Sequence, residues 1–344
     1  MKQHLNTLFV TQEGAWLAKE GQAVDVRHEG RSKLRVPLHN LDGIVCMGWD
    51  ISASAPLMAA CAEAGVSLSF CSPHGKFLAA ATGFASGNVL LRREQYRRAD
   101  DPAATVGIAR NFVAAKIMNS RASLLRAVRD RPESAGVPAL KAAAQWLGRR
   151  AAAAACQPSL GSLRGIEGEA AATYFGVFPM LLTTDDPFLA MKGRLRHPPP
   201  DPVNALLSFL YALLAHDCRS ALAAAGLDAA VGFLHRDRPG RPSLALDLME
   251  ELRPVLADRT ALALLNRRQL DASDFEAREN GAIFLREASR KKVLMEWQER
   301  KRDELLHPFL REKITWGLVP HLQARLLARH LRGDVDAYPA FLWK

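Results

Sequence analysis

The spacing of apolar residues changes once along this chain, and that change constrains the fold more than any other feature. Up to about residue 85 the apolar residues alternate or cluster in short β-branched runs, as in NTLFV, AWLAK, AVDVRH, KLRVPL and LDGIVCMG. Alternation with period two is the mark of a half-buried strand. The intervening EG, EGQ and HEGRS segments have the composition of hairpin turns. One stretch, SAPLMAACAEAG, breaks the pattern. Leu57, Met58, Cys61 and Ala62 share one helical face there, and Gly65 supplies a C-terminal stop. VSLSFCS and KFLAAAT return to strand character. From about Asn88 onward the spacing is helical almost throughout, with Ala-rich runs of high helix propensity such as PALKAAAQWLGRRAAAAA, punctuated by proline and glycine. The expected fold is therefore α+β. A small N-terminal β-rich domain (1–85) precedes a larger all-α domain (86–344), with the joint in residues 80–95.

Length and charge narrow the function. A chain of 344 residues is long enough for two domains with a sizeable core. It carries 46 Lys and Arg against 36 Asp and Glu, a formal net charge of +10. A surplus of that sign favours a polyanionic partner such as DNA or RNA. No apolar run has the length of a membrane span, and the first residues lack the basic-then-apolar order of a secretory signal, so a cytoplasmic protein is expected. Cys46, Cys61, Cys71, Cys156 and Cys218 include no Cys-x-x-Cys pair, which speaks against structural zinc and redox chemistry and for buried reduced thiols. Phosphate-cradling, dinucleotide, zincin and nucleophile-elbow motifs are absent from the sequence.

Two segments carry candidate chemistry. In LRGIEGEAAATYFGVF, Glu167 lies between Gly165 and Gly168 at the expected start of a helix, where a carboxylate is also favoured simply by the helix dipole. Glu169 points away from it, and Ala170 to Ala172 allow another backbone to approach closely. In GFLHRDRPGRPSLALDLMEELRP, His235 ends an apolar run and a helix opens near Ser243. Asp247, Glu250 and Glu251 share a face of that helix, beside an apolar stripe of Leu248, Leu252 and Val255. Such an acidic face is often only solvated surface. Exposed like charges at this spacing repel by a few tenths of a kcal/mol, roughly, and a bound cation reverses the sign. One imidazole with carboxylates suits Mg²⁺ or Mn²⁺ better than a thiolate-seeking ion. The basic residues Arg194, Arg196, Arg236, Arg238 and Arg241 flank these segments, and Lys291 and Lys292 lie in a charged helix further on; all are candidates for DNA phosphates or for plain surface. His197, His216, His307, His321 and His330 have no carboxylate at telling spacing and are expected to be structural or surface residues, with Trp297 and Trp316 in the core.

Taken in order, LDGIVCMG, ISASAPLMAACAEAGVSLSF, GNVLLRREQY, GIEGEAAATYF, RHPPPDPVNALLSFLYALL and GFLHRDRPGRPSLALDLMEELRP span nearly the whole chain. Together they resemble the CRISPR-associated endonuclease and integrase that forms the larger part of the spacer-acquisition complex, in wording closest to type I systems. The resemblance implies a divalent metal, Mg²⁺ or Mn²⁺, held by Glu167, His235 and Glu250. Glu250 stands where some members carry Asp. Asp247 matches an acidic position that supports the site or ligates in some states, while Glu169 and Glu251 are expected to be structural. The loop from His235 to Asp247 varies in length in the family, so no single arginine there is carried over. The resemblance further implies a homodimer built through the β domain. A small second adaptation protein would bridge two such dimers into a heterohexamer, and the assembly would insert short DNA fragments into CRISPR repeat DNA by 3′-hydroxyl attack. A structure-selective metal-dependent nuclease on branched DNA or RNA would use the same ligands. A non-catalytic basic scaffold would be favoured if Glu167, His235 and Glu250 lay far apart.

Overall fold

The structure is a computed structural model that describes residues 7–41, 43–73, 77–81, 89–184, 186–191, 193–195 and 198–343. The chain divides into two compact units. The first comprises the chain to residue 87 together with Arg290–Glu299, and the second comprises residues 88–289 and 300–344.

In the first unit the alternating segments form β1 (Thr7–Val10), β2 (Trp16–Glu20), β3 (Ala23–His28), β4 (Arg31–Pro37), β5 (Gly43–Met47), the two-residue β6 (Ser52–Ala53), β7 (Ser67–Cys71) and β8 (Phe77–Ala81). Helix α1 (Ala55–Ala64) lies between β6 and β7 and ends at Gly65, whose φ of 70° is the left-handed stop the sequence leads one to expect. The strands make two four-stranded sheets. One has the order β4-β3-β2-β6 and the other β1-β5-β7-β8. The β3–β4 hairpin turns on Glu29 and Gly30, both at positive φ, as a two-residue turn of matching twist requires. The parallel pairing of β1, β5 and β7 is not visible in local spacing, because it joins residues far apart in the chain, Thr7 with Gly43 and Gly43 with Ser67. Leu17, Val24, Ile44, Leu57, Cys61 and Leu68 form the centre of this unit's core.

The second unit contains α2 (Val89–Asp100), α3 (Pro102–Asp130), α4 (Val137–Ala155), α5 (Leu160–Val177), α6 (Pro202–Ala224), α7 (Ser243–Glu250), a π-type turn (Arg253–Ala257), α8 (Asp258–Asn266), the ends of α9 (Glu287–Arg302) and α10 (Val319–Arg332). Helix starts follow local chemistry. The Asp101 side chain accepts from Ala103 N ahead of Pro102 in α3, and the Asp201 side chain accepts from Asn204 N ahead of Pro202 in α6. Helix α3 runs through the middle, packing on α2, α4, α5, α7 and the π-type turn. It therefore reaches both helices that carry Glu167, Asp247 and Glu250, while Asp247 of α7 holds the His235 loop.

Three expectations need correction. The helical region also contains two small antiparallel ribbons, β9 (Phe275–Ala277) with β10 (Ile283–Leu285) and β11 (Glu304–Leu306) with β12 (Lys313–Thr315). Three-residue strands are too short to establish a period. Cys156 is exposed at the end of α4, whereas the other four cysteines are buried as expected. Burial pushes the Cys46 and Cys61 thiols up to about 12 and about 11. The third correction concerns Glu167 and is given with the site. Trp297 and Trp316 are buried, as the sequence suggests. Among the described residues no helix is long and apolar enough to cross a membrane.

Candidate metal centre

The centre is built outward from Asp247, which has no solvent exposure. Its Oδ2 accepts from the backbone N–H of Phe233 at 2.6 Å and Leu234 at 2.9 Å, and its Oδ1 accepts from His235 N at 2.9 Å. The His235 ring lies with Nδ1 2.6 Å from the same Oδ1. Four contacts fill the carboxylate, which binds the His235 backbone and ring together. With Nδ1–H donating to Asp247, Nε2 is the ring nitrogen turned toward Glu250. This packing requires glycine at 232, because a Cβ there would stand 2.8 Å from Asp247 Oδ2 and 2.8 Å from the Ser243 carbonyl carbon.

Glu250 follows one turn later on α7 and is also buried. Arg253 Nη1 is 3.0 Å from its Oε1, and His235 Nε2 is 3.8 Å from the same atom. Lys116 Nζ, from α3, stands 2.7 Å from Oε2. That contact is an ion pair rather than a well-directed hydrogen bond, since Oε2 is buried without a donor in good geometry. Burial pushes the Glu250 carboxyl up, but Arg253, then Lys116 and His235, together outweigh it and hold the group at about 2. Glu250 is therefore ionised throughout the physiological range.

Glu167 faces Glu250 across the same ammonium, pairing with Lys116 Nζ. It does not begin its helix. Helix α5 starts at Leu160, where the Ser159 side chain accepts from Ser162 N, so Glu167 falls in the third turn. Its carboxylate thus owes nothing to the helix terminus, and the two glycines beside it do not mark one. A Cβ at Gly165 or Gly168 would meet nothing within 4 Å. Each glycine costs a mid-helix position about 1 kcal/mol relative to alanine, and each leaves open space beside Glu167. Glu169 pairs with Arg150 at 2.7 Å on the exposed side. Glu251 turns the other way into the protein, accepting from Tyr338 Oη, Gln323 Nε2 and Phe341 N. Neither side chain faces the Lys116 ammonium.

Glu167, His235 and Glu250 are thus brought together, but among the described residues no three His, Cys, Asp or Glu side chains are placed to hold one ion. The reason is on view: the Lys116 ammonium sits between the two glutamates. The donors nonetheless suit a divalent cation. Two carboxylates and one oriented imidazole nitrogen surround a position that already attracts positive charge, and these are the donors Mg²⁺ and Mn²⁺ prefer.

Arg164, Arg236, Arg238 and Arg241 line a cavity of about 320 Å³ together with Glu167 and His235. Arg164 spends donors on Leu234 O, at 2.8 Å from Nε and 2.5 Å from Nη2, which ties α5 to the His235 loop. Its pKa is lowered by burial and by neighbouring Arg236. Arg194 lies elsewhere. It donates to Asn204 Oδ1 at 2.7 Å and to Leu195 O at 2.9 Å, and its guanidinium rests over the Tyr211 ring. It lines a second cavity, of about 440 Å³, with Lys116, Tyr174, Tyr211, Arg253 and Asp258. Arg196 and His197 lie outside the described residues. Lys291 and Lys292 belong to the part of α9 in the first unit.

Sequence reasoning misses Lys116 and Arg164, and reads Arg253 only as a neighbour of the acidic face. Lys116 had one signal available, a charge amid the apolar residues of NFVAAKIMN at positions facing the helical core.

The family described as CRISPR associated protein Cas1 matches residues 8–299. The chain is 50% identical over 347 aligned residues to the CRISPR-associated endonuclease Cas1 1 of Chlorobaculum tepidum, covering the full length of both. A solved casposase bound to integration product superposes with a TM-score of 0.81 at 23% identity, over 97% of this chain and 94% of that one. A chain of a Cas6-RT-Cas1–Cas2 complex superposes with a TM-score of 0.82 at 22% identity, over 100% of this chain and 36% of that one. These two likenesses concern the fold.

Proposed function

The chain belongs to the CRISPR-associated Cas1 family, and from that premise we propose that it is a metal-dependent DNA integrase of spacer acquisition, joining the 3′-hydroxyl ends of short DNA fragments to phosphates at repeat boundaries. The observation that carries the reading is the convergence of Glu167, His235 and Glu250 beside a wall of arginines. A divalent ion held by those three side chains would polarise the target phosphate and stabilise charge on the attacking or leaving oxygen.

The chain's own residues supply the rest. Asp247 holds the His235 ring so that Nε2 faces the centre. Arg253 keeps Glu250 ionised and fixed. Arg236, Arg238 and Arg241 are suited to phosphodiester oxygens next to Glu167. In the joining step the 3′-oxygen forms a bond to phosphorus as its proton passes to solvent, and the P–O bond to the bridging oxygen of the repeat strand breaks, that oxygen taking up a proton from solvent to leave as a hydroxyl. No protein nucleophile is required. Water in place of the 3′-hydroxyl gives hydrolysis by the same groups, and the relatives' name as endonucleases favours that second reading. The convergence weighs against a purely non-catalytic scaffold.

The working assembly in this proposal is a homodimer built through the N-terminal unit and bridged by a small second adaptation protein into a heterohexamer in the cytoplasm. The similarity to a chain from a complex containing Cas2 supports such a partner.

The deciding experiment is strand transfer. A labelled duplex with free 3′-hydroxyl ends is mixed with supercoiled repeat-bearing plasmid, the protein and its small partner, with Mn²⁺ or EDTA. Label should join plasmid only with metal, and Glu167→Gln and His235→Ala proteins with unchanged circular dichroism should lose at least about a hundredfold of that rate. Joining that persists in EDTA or in either variant would refute the assignment. Nicking without joined label would select hydrolysis.

A further inference from the structure

Lys116 is an unusual neighbour for a metal centre. Its side chain is only 11% exposed, and its ammonium pairs with both Glu167 and Glu250. Lys116 lies on a buried stretch of α3, where Phe112, Val113, Ile117 and Ser120 are also buried. The charges balance as they stand: two carboxylates face Lys116 and Arg253. Even with the Asp247 carboxylate counted, a divalent ion added to that set would leave positive charge in excess, which is unfavourable in a largely buried space. One cation must therefore yield.

Arg253 is the less mobile of the two. It is buried, its guanidinium lies 4.9 Å from the Tyr211 ring centroid, and it is locked to Glu250 at 3.0 Å. Lys116 has a flexible four-carbon stem and a single point charge. It also lines the second cavity, of about 440 Å³, where Asp258 offers an acceptor.

Resting on the metal reading above, we propose that Lys116 is the resident counter-cation of the centre. It keeps the two carboxylates paired when no metal is bound, competes with the divalent ion for them, and withdraws into the neighbouring cavity when the ion enters. Binding of metal and pairing of Lys116 are then reciprocally linked.

Two measurements on the full chain test this. In the first, MnCl₂ is titrated calorimetrically into wild type, Lys116→Met and Glu167→Gln. Lys116→Met should bind Mn²⁺ tighter by roughly fivefold or more, since a competitor has been removed. An unchanged or weaker affinity would overturn the inference. The second needs no variant, so it stands even if Lys116→Met does not fold. Wild type is reductively methylated in EDTA and in Mn²⁺, and modification of Lys116 is read by mass spectrometry against exposed Lys19. Lys116 should react several-fold faster with Mn²⁺, and an equal or slower rate would overturn the proposal. The underlying metal reading fails separately, if wild type binds no Mn²⁺ or if Glu167→Gln binds it equally well. Glu167-dependent binding that leaves Lys116 unaffected would sink only the counter-cation.

Discussion

Four donors meeting on one buried carboxylate make Asp247 the residue whose loss should have two separable consequences. In Asp247→Asn one amide NH₂ must face N–H groups, leaving buried donors unpaired at a cost of about 2–4 kcal/mol. The His235 ring also loses its orienting partner, which should weaken Mn²⁺ binding by about 10- to 100-fold. Urea unfolding and metal titration read the two effects independently, and a variant with wild-type stability would show that the cradle carries no load. Asp258 allows a different test. Burial pushes its carboxyl up to about 6, against the hydrogen bonds from Tyr211 and Tyr174 that act to lower it. The folded chain therefore holds this proton more tightly than the unfolded chain does. The resulting stabilisation is full below about pH 4 and is lost as pH rises through about 6. Urea stability measured from pH 4 to 7 should fall more steeply for wild type than for Asp258→Asn. Some slope should persist in the variant, because burial also lifts Glu251 to about 7. Parallel curves would mean that Asp258 is not protonated on folding. At this scale the sequence was legible where residue types and motif order coincide, as at Glu167, His235 and Glu250. It was not legible for Lys116, which lies 51 residues before Glu167, because no local pattern couples a lysine on one helix to carboxylates on two others.

The end of the chain behaves as an element in its own right although it has no regular structure. Tyr338 and Phe341 are almost wholly buried, and the segment is pinned at both sides. Glu251 Oε2 accepts from Phe341 N at 2.7 Å, Asn119 Nδ2 donates to Phe341 O at 2.8 Å, and Trp343 N donates to Asn119 Oδ1 at 2.9 Å. Asn119 Nδ2 also donates to Glu251 O at 2.6 Å, so the tail, α3 and the end of α7 are fastened together one residue from Glu250. Phe341→Ala should cost about 3–5 kcal/mol through lost burial and the cavity it leaves. A loss below about 1 kcal/mol in urea unfolding would mean that the tail is not held in solution. The apolar composition of AYPAFLWK announced that this segment needs a surface to cover it; the surface itself was hidden, since it is assembled from Asn119 and Glu251, 132 residues apart. Long helices with capped starts were readable for the opposite reason, as their signals lie within a few residues. The two ribbons failed that condition. One turns through Gly281 and the other through Arg311, both at positive φ, with only three residues in each strand.

At the scale of the whole molecule, the net charge of +10 favours any polyanion, so it cannot by itself distinguish a DNA-joining enzyme from a basic bystander. The slope of affinity against salt can, because it counts phosphates neutralised at the bound surface rather than charge summed over the chain. Arg236 and Arg238 are exposed and line the cavity beside Glu167 with Arg241, and the donors to Asp247 come from Phe233, Leu234 and His235 rather than from these arginines. If duplex DNA runs through that cavity, the logarithm of the association constant should fall linearly with the logarithm of salt concentration. Changing these three arginines to glutamine should then flatten the slope by about one for each phosphate no longer neutralised. Affinity should weaken by a similar factor for unrelated duplexes, since interactions with phosphate carry no sequence information. A control set of equal charge, Lys19, Lys33 and Arg35 changed to glutamine on the exposed strands of the first unit, separates the local from the global effect. An equal flattening in both sets would assign binding to diffuse charge. Flattening confined to the Arg236, Arg238 and Arg241 set would put the DNA backbone next to Glu167, His235 and Glu250, where a phosphate must lie for those residues to act on it.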